Sequence, residues 1–252
     1  MDQTQYQTFL NVDDRHWWFV ARREIIAAIL KTHLGSRSDL NIVDIGSGTG
    51  RILPVLSQFG NVTLTEPEAT VSAWAKTHYA ERFPEAKFVS GNWETLDFPP
   101  SSYDLLTAFD VLEHCQDDLA ALKRWGEWVK PGGKILLTVP AFPSLWGIND
   151  EVSHHFRRYT AASLRQVIAA AGFRIEKMTY MNMLLFLPVW LSRNLLDRLR
   201  RALNSTPPHS TDFNIPSEPI NSLLRCLYGW EAHWLPAHRL PFGTSLIVVI
   251  QV

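Results

Sequence analysis

Hydrophobic and polar positions follow two different periods along this chain. Apolar residues recur at helical spacing over 19–34, and Gly35 ends that segment. Short apolar, β-branched runs at 40–45 and 61–66 predict buried strands of a parallel sheet. Further strand-like runs are "AKFVSGN", "YDLLTAFDVLEH" and "KPGGKILLTVP", with helical segments between them. Alternating strands and helices predict an α/β fold, a doubly wound and mostly parallel sheet with helices on both faces.

Two more strand candidates, "FRIEKMTYM" and "TSLIVVIQV", bring the predicted sheet to seven strands. A long interruption at 182–241 separates them and predicts a helical cap insertion before the last strand. Pro188 breaks its apolar run, so one continuous helix is not expected there. The predicted organisation is an N-terminal lid and helix at 1–38, a core at 39–181, the insertion at 182–241 and the last strand at 242–252.

The composition narrows the class of partner. The net charge is −1, which argues against nucleic acid, because such binding needs a concentrated basic surface. The two cysteines are far apart and form no CxxC pair, so we expect neither disulfides nor a metal. The first residues lack a signal pattern, and the apolar run 183–191 is too short to span a bilayer. We therefore expect a cytoplasmic protein, with peripheral membrane or homodimer contact through 182–241 left open.

The stretch "VDIGSGTGRIL" at 43–53 predicts a nucleotide-binding loop after the first strand. A phosphate-binding P-loop would need a lysine and a hydroxyl residue where Arg51 and Ile52 stand. In the dinucleotide fingerprint the third glycine lies one place later, where this chain has Arg51. Asp44 would repel a pyrophosphate but suits a ligand with ammonium and sulfonium groups. The residues alone therefore favour a cationic nucleoside.

Five motifs occur in order between residues 40 and 175: "VDIGSGTGR", "LTEPE", "VSGNWETLDF", "YDLLTAFDVLEH" and "KPGGKILLTVP". Together they resemble the class I S-adenosylmethionine-dependent methyltransferases, in particular the small-molecule branch with quinone-type and natural-product enzymes. The resemblance implies S-adenosylmethionine as cofactor and S-adenosylhomocysteine as product. It also implies methyl transfer to oxygen or nitrogen of a small acceptor, with aromatic or lipid-like molecules as candidates.

The resemblance also assigns roles to the residues that match these motifs. Glu66 matches the acid that binds the ribose hydroxyls, and it lies 22 residues after Asp44. Asn92 stands where the family has an aspartate against the adenine amine, and its carbonyl oxygen can still accept that hydrogen bond. The implied cofactor-binding residues are Asp44, Gly46, Ser47, Gly48, Gly50, Glu66, Pro67, Asn92, Trp93, Phe109 and Asp110.

The acceptor side is predicted from "NDEVSHHFRRYT" and from "HWWFVARRE". The candidate general bases are His155, His154 and His114, since histidine titrates near neutrality. The residues expected to line or cover the acceptor pocket are Trp17, Phe19, Arg22, Arg157, Arg158 and Tyr159, with His16 beside them. For each of these side chains a local structural role or plain core packing is the competing interpretation.

Two other classes of function stay open at the level of sequence. One is a non-catalytic protein that binds the cofactor for regulation or assembly. The other is an NAD-type oxidoreductase, which the early third glycine and Arg51 disfavour. The signature of amino-methylating DNA enzymes, Asn or Asp followed by Pro-Pro-aromatic, is absent after the fourth strand, where the chain reads "FDVLEH". Nucleic-acid substrates are therefore not expected.

Overall fold

The computed structural model describes residues 12, 14–196 and 215–252. Its centre is one sheet of seven strands, all at the predicted places. Their bounds are β1 Leu40–Ile45, β2 Gly60–Glu66, β3 Lys87–Ser90, β4 Tyr103–Phe109, β5 Val129–Pro140, β6 Arg174–Met181 and β7 Ser245–Gln251.

The strands lie in the order β3-β2-β1-β4-β5-β7-β6. Pairing is parallel from β3 to β5, whereas β7 runs antiparallel to both β5 and β6. The predicted doubly wound, mostly parallel sheet of seven strands is therefore confirmed. The order reverses at β1, between β2 and β4, so a crevice opens beyond the carboxyl ends of these strands.

Helices cover both faces of the sheet. They are α1 Trp17–Leu34, α2 Leu53–Leu56, α3 Ala69–Tyr79, α4 Asp118–Trp128, α5 Ile148–Val152, α6 Ala161–Ala170, α7 Phe186–Leu191, α8 Glu218–Gly229 and α9 Glu231–Trp234, with short 3-10 turns at Leu112–His114 and Pro143–Leu145 and a π turn at Ser192–Leu196. The side chain of His16 caps α1 by accepting the Trp18 N–H, and Gly35 ends it with φ +66°.

Two apolar cores lie on opposite faces of the sheet. Ile25 and Ile29 of α1 pack on one face together with Leu53. Trp125 and Trp128 of α4 pack on the other, and all five side chains are fully buried. Both strand faces are therefore covered, which explains why β1 and β4 read as nearly continuous apolar runs.

The described parts of the insertion pack in two places. The π turn after α7 contacts the loop that follows β5: Arg193 donates to the Leu145 carbonyl at 3.2 Å. The helices α8 and α9 pack on α1 instead, and Asn221 accepts the Trp17 N–H at 3.0 Å. Residues 197–214, with most of "RNLLDRLRRAL" and its Pro/Ser-rich continuation, lie outside the described residues. The cap role of the insertion stays a prediction.

The described helices include none that is both long enough and apolar enough to pass through a bilayer.

Candidate active site

A cleft of about 160 Å³ opens at the carboxyl ends of β1 and β4. One wall is the glycine loop that follows β1, and the facing wall is α1. The lining residues are Trp18, Phe19, Arg22, Arg23, Ile26, Asp44, Gly46, Ser47, Thr49, Arg51, Ile52, Phe109 and Asp110. The cleft thus lies at the switch point of the sheet, where ligands of such folds bind.

Asp44 lies at the inner end of this cleft and is 1% exposed. Thr107 on the neighbouring strand β4 donates its hydroxyl to Asp44 Oδ1 at 2.5 Å. Burial raises the pKa of Asp44 to about 7, although hydrogen bonds from Thr107 and Ser47 oppose that shift. A cationic ligand group would stabilise the ionised form of this carboxyl group, so the site fits an ammonium or sulfonium.

Glu66 fixes the glycine loop to the end of β2. Its Oε2 accepts the Gly48 N–H at 2.9 Å and its Oε1 accepts the Glu68 N–H at 3.1 Å. A carboxylate has about four acceptor positions, so these two contacts alone do not saturate Glu66. Gly46 has φ +66°, and a Cβ there would lie 2.7 Å from Val111 Cγ2. The loop conformation therefore requires a glycine at this position.

Asp110 forms the floor of the cleft after β4. Arg22 of α1 pairs with its Oδ2 at 2.5 Å, and Thr138 donates to its Oδ1 at 3.3 Å. Burial by itself would raise the pKa of Asp110, but the charge and hydrogen bond of Arg22 outweigh it and hold this pKa below its usual value. Asp110 is therefore an ionised group that ties α1 to the sheet.

Three side chains that could bind a metal ion lie close together beside Asp110. One oxygen of Glu113 and one ring nitrogen each of His114 and His155 lie within 4.8 Å of one another. Asp150, fully buried, lies 2.8 Å through Oδ1 from His155 Nδ1. The two imidazole rings meet edge to face, with centroids 4.6 Å apart. Burial, aided by the charge of His155, lowers the pKa of His114 to about 4, so its ring is neutral at neutral pH.

Comparison with known proteins decides which family this cleft belongs to. The model of a methyltransferase domain family matches residues 16–178, which is more than half of the chain. The chain belongs to this methyltransferase family. The predicted class I resemblance is thus confirmed, and S-adenosylmethionine is the cofactor that family membership assigns to the cleft.

Two curated relatives and one solved structure illustrate the similarity. A protein of Mycolicibacterium smegmatis named "Probable S-adenosylmethionine-dependent methyltransferase" is 25% identical over 69% of this chain and 65% of its own length. The ubiquinone biosynthesis O-methyltransferase of Idiomarina loihiensis is 28% identical over 56% of this chain and 65% of its own. A chain from the Haloferax volcanii complex of a methyltransferase with the activator Trm112 superposes with a TM-score of 0.62, at 16% identity, over 98% of this chain and 94% of that one. The similarity to this solved structure concerns the fold alone.

The aligned regions cover between a third and two thirds of the curated relatives. The similarity therefore concerns the methyltransferase domain and does not extend to the acceptor.

The structure of this methyltransferase places five of the predicted cofactor residues in the lining of the cleft. Asp44, Gly46, Ser47, Phe109 and Asp110 line it directly. Gly48 and Gly50 continue the same loop with φ +54° and +74°, and Pro67 follows Glu66 at the end of β2. Their contacts with the cofactor stay a prediction.

Asn92 and Trp93 lie beyond β3 in a turn. Asn92 Oδ1 accepts both the N–H and the hydroxyl of Thr95, each at 2.9 Å. Trp93 packs against the core that contains α4. The carbonyl oxygen that was predicted to meet adenine therefore already closes a turn, and an adenine amine would have to share it.

Three predicted acceptor residues have partners inside the protein. The side chain of Arg158 is 8% exposed, pairs with Asp150 at 2.7 Å and donates to the Ala141 carbonyl. Tyr159 is 2% exposed and donates to Asp118 at 2.8 Å. Trp17 packs edge to face on Tyr228 of α8. Each of these contacts lies within the protein, and the role of the three residues at an acceptor pocket stays a prediction.

The remaining acceptor predictions divide in a similar way. Phe19 and Arg22 do line the cleft, and Trp18 joins them where Trp17 was expected. Arg157 pairs with Asp118 at 2.7 Å but stays partly exposed. His154 is exposed and lies outside the group formed by His114 and His155. His155 is therefore the better supported of the two neighbouring candidates.

Sequence reasoning missed three ionisable residues in the group around His155. Glu113 belongs to the "EH" pair, of which only the histidine was singled out. Asp150 lies five residues before His155, in the same His-rich stretch. Arg193 of the insertion reaches Asp150 Oδ2 at 3.1 Å. No local pattern indicates that last contact, because 43 residues separate its partners.

Proposed function

We propose that this protein transfers the methyl group of S-adenosylmethionine to an oxygen or nitrogen of a small acceptor. One observation carries the proposal: the glycine loop lies between two buried acids, Asp44 and Glu66, at the switch point of the sheet. Asp44 would meet the ammonium of the methionine part, and Glu66 would accept the ribose hydroxyls. The positive φ values of the loop let its backbone approach the ligand closely.

The reaction is an in-line displacement at the methyl carbon. Because the sulfonium is already a good leaving group, holding the acceptor in line contributes much of the rate. The oxygen or nitrogen of the acceptor forms the new bond while the electron pair of the C–S bond stays on sulfur. The product is S-adenosylhomocysteine, which is neutral at sulfur.

An acceptor hydroxyl must also lose its proton, and His155 is the described residue best placed to promote that loss. Asp150 holds His155 Nδ1 at 2.8 Å, which leaves Nε2 for other partners. Asp110 connects the cleft with His155, since it lines the cleft and its charge interacts with that histidine. His114 is the second, neutral imidazole beside it.

We propose an aromatic hydroxyl with an apolar tail as the acceptor class. The name of the Idiomarina loihiensis relative supports this class. Large exposed apolar side chains of the insertion, Leu184, Leu187 and Trp190, support an apolar tail in addition. The same surface would account for peripheral membrane or homodimer contact through 182–241.

The test combines a titration with a product assay. Calorimetry should show saturable binding of S-adenosylmethionine to the full chain. A panel of phenolic and catecholic acceptors, with and without isoprenoid tails, is then assayed for S-adenosylhomocysteine by chromatography. Turnover of tailed phenols above tailless ones supports the proposal. Tight cofactor binding without turnover on any phenol, amine or lipid would instead favour a non-catalytic binding protein.

A further inference from the structure

Glu113 is a buried carboxyl group without a visible partner. Its side chain is 0% exposed, and neither Oε1 nor Oε2 has a hydrogen bond to any described residue. Burying a carboxylate in this way costs several kcal/mol unless a cation or hydrogen-bond donors compensate. Arg22 and Arg158, whose charges act on Glu113, already pair with Asp110 and Asp150. The structure therefore leaves two buried carboxyl oxygens that another cation would engage.

Two imidazoles complete the donor set around Glu113. A ring nitrogen of His114 and one of His155 lie with the Glu113 oxygen inside a group no wider than 4.8 Å. Asp110 is close as well, but its Oδ2 is held by Arg22. The set is therefore two nitrogen ligands and one carboxylate.

The orientation of His155 matches that of a metal ligand. Asp150 Oδ1 lies 2.8 Å from Nδ1, and Asp150 is in turn fixed by Gly147 N–H, Arg158 and Arg193. A neutral His155 that donates its Nδ1–H to this carboxylate would carry its lone pair on Nε2. Metal-bound histidines nearly always donate their other nitrogen in this way, which fixes the ring and strengthens the ligand.

We propose that Glu113, His114 and His155 bind a divalent transition-metal ion of the zinc class. Two histidines and one glutamate form the donor set of open catalytic zinc sites, in which a fourth position is left for water or substrate. Both histidines are partly exposed, and the proposal leaves the fourth position to water or a bound acceptor. This inference departs from the expectation of no metal that the cysteine spacing suggested.

The inference deepens the proposed function and, as to its role, rests on it. An acceptor hydroxyl bound to the ion would lose its proton to water more readily, because the ion stabilises the resulting oxyanion. That oxyanion then attacks the methyl carbon as the C–S bond breaks toward sulfur. His155 would promote proton loss as a ligand of the ion.

Zinc binding can be measured without cofactor and without acceptor. The full chain is stripped with a chelator, with Cys226→Ser in every variant because that thiol is exposed. Competition against a chromophoric chelator should then show one equivalent of bound Zn²⁺. Glu113→Gln and His155→Ala should each weaken binding at least tenfold, and Asp150→Asn by about 10–100-fold through its loss as orienting group. His233→Ala, at an exposed histidine outside the group, should leave the affinity unchanged.

Structural and folding controls keep the test decisive. Anomalous diffraction at the zinc edge should place the ion between Glu113, His114 and His155. Affinity for S-adenosylmethionine shows that each variant is folded, and His155→Ala serves if Glu113→Gln does not fold. The absence of saturable Zn²⁺ binding, or equal binding by wild type and both ligand variants, would show that Glu113 is a buried neutral acid and overturn the proposal. A protein that binds zinc but methylates nothing would overturn the proposed function alone.

Discussion

The predicted cofactor side of the cleft and the cluster around Asp150, which we propose as the acceptor side, are built by different kinds of contact. On the cofactor side, the side-chain partner of Asp44 is Thr107, its register neighbour on β4, and Glu66 reaches a loop 18 residues away. On the acceptor side, Asp150 gathers donors from its own turn, from the His-rich stretch and from the insertion. Sheet register dictates the first set, whereas the second depends on where separate segments dock. The cofactor side is therefore the more rigidly specified half.

The largest effect is expected at the centre of the acceptor side. Asp150→Ala leaves the buried guanidinium of Arg158 and the charge of Arg193 without their carboxylate. Removing one member of a buried ion pair costs about 3–5 kcal/mol, so the free energy of unfolding should fall by that amount. Urea denaturation measures it, with Glu85→Ala at an exposed site as control. A loss no larger than that of the control would mean that the acceptor side is not held together by Asp150.

A second test asks whether Glu66 serves the ligand as well as the loop. Glu66→Ala should weaken binding of S-adenosylmethionine by roughly 1.5–3 kcal/mol, since charge-assisted hydrogen bonds to the ribose are lost. Calorimetric titration gives the dissociation constant. Glu66→Gln keeps the size of the side chain, and its affinity for S-adenosylmethionine should lie between those of the wild type and Glu66→Ala. Unchanged cofactor affinity in Glu66→Ala would remove the ribose assignment.

Substitutions at two glycines of the same loop distinguish the effect of packing from the effect of the ligand's approach. Gly46→Ala adds a Cβ 2.7 Å from Val111 Cγ2, whereas Gly48→Ala meets nothing within 4 Å. Both positions have positive φ, which costs an L-residue about 1–2 kcal/mol. Thermal unfolding should therefore show a larger loss for Gly46→Ala than for Gly48→Ala. Equal losses would contradict the packing of Val111 on the loop.

The smallest effect is a proton linked to cofactor binding. In the free protein burial raises the pKa of Asp44 to about 7, with the charge of Glu66 adding to the shift. A cationic ligand prefers the ionised carboxylate, so binding should release a proton near pH 7. Affinity should rise with pH through about 7 and, below it, fall by at most about tenfold, or 1.4 kcal/mol, per pH unit. Calorimetry in buffers of different ionisation enthalpy measures the release, and Asp44→Asn should abolish it. A pH-independent affinity in wild type would show that Asp44 does not meet the cationic group.

The contrast between residues positioned by sheet register and residues positioned by docking also explains which parts of the structure could be predicted from the sequence. The strand positions, the glycine loop and Asp44 could be predicted from local sequence patterns, since each pattern lies within one β-loop-α unit. No local pattern distinguishes the internal partners of Arg158 and Tyr159, which are Asp150 and Asp118, from a contact with a ligand. Trp17 and Trp18 are adjacent, and only the docking of α8 determines which of them faces the cleft. Arg193 and Asp150 are 43 residues apart, so no local sequence pattern could predict their contact.

The contact between Trp17 and Asn221 sets an order of events during synthesis. These two residues are 204 positions apart, yet their hydrogen bond holds the helix that forms one wall of the cleft. In the described sheet, β6 likewise pairs with β7 alone, which is made later. A growing chain on the ribosome would therefore carry a complete glycine loop well before it has a closed cleft around it. Cofactor capture should accordingly be a late step, after residue 221 has emerged and α8 has docked on α1.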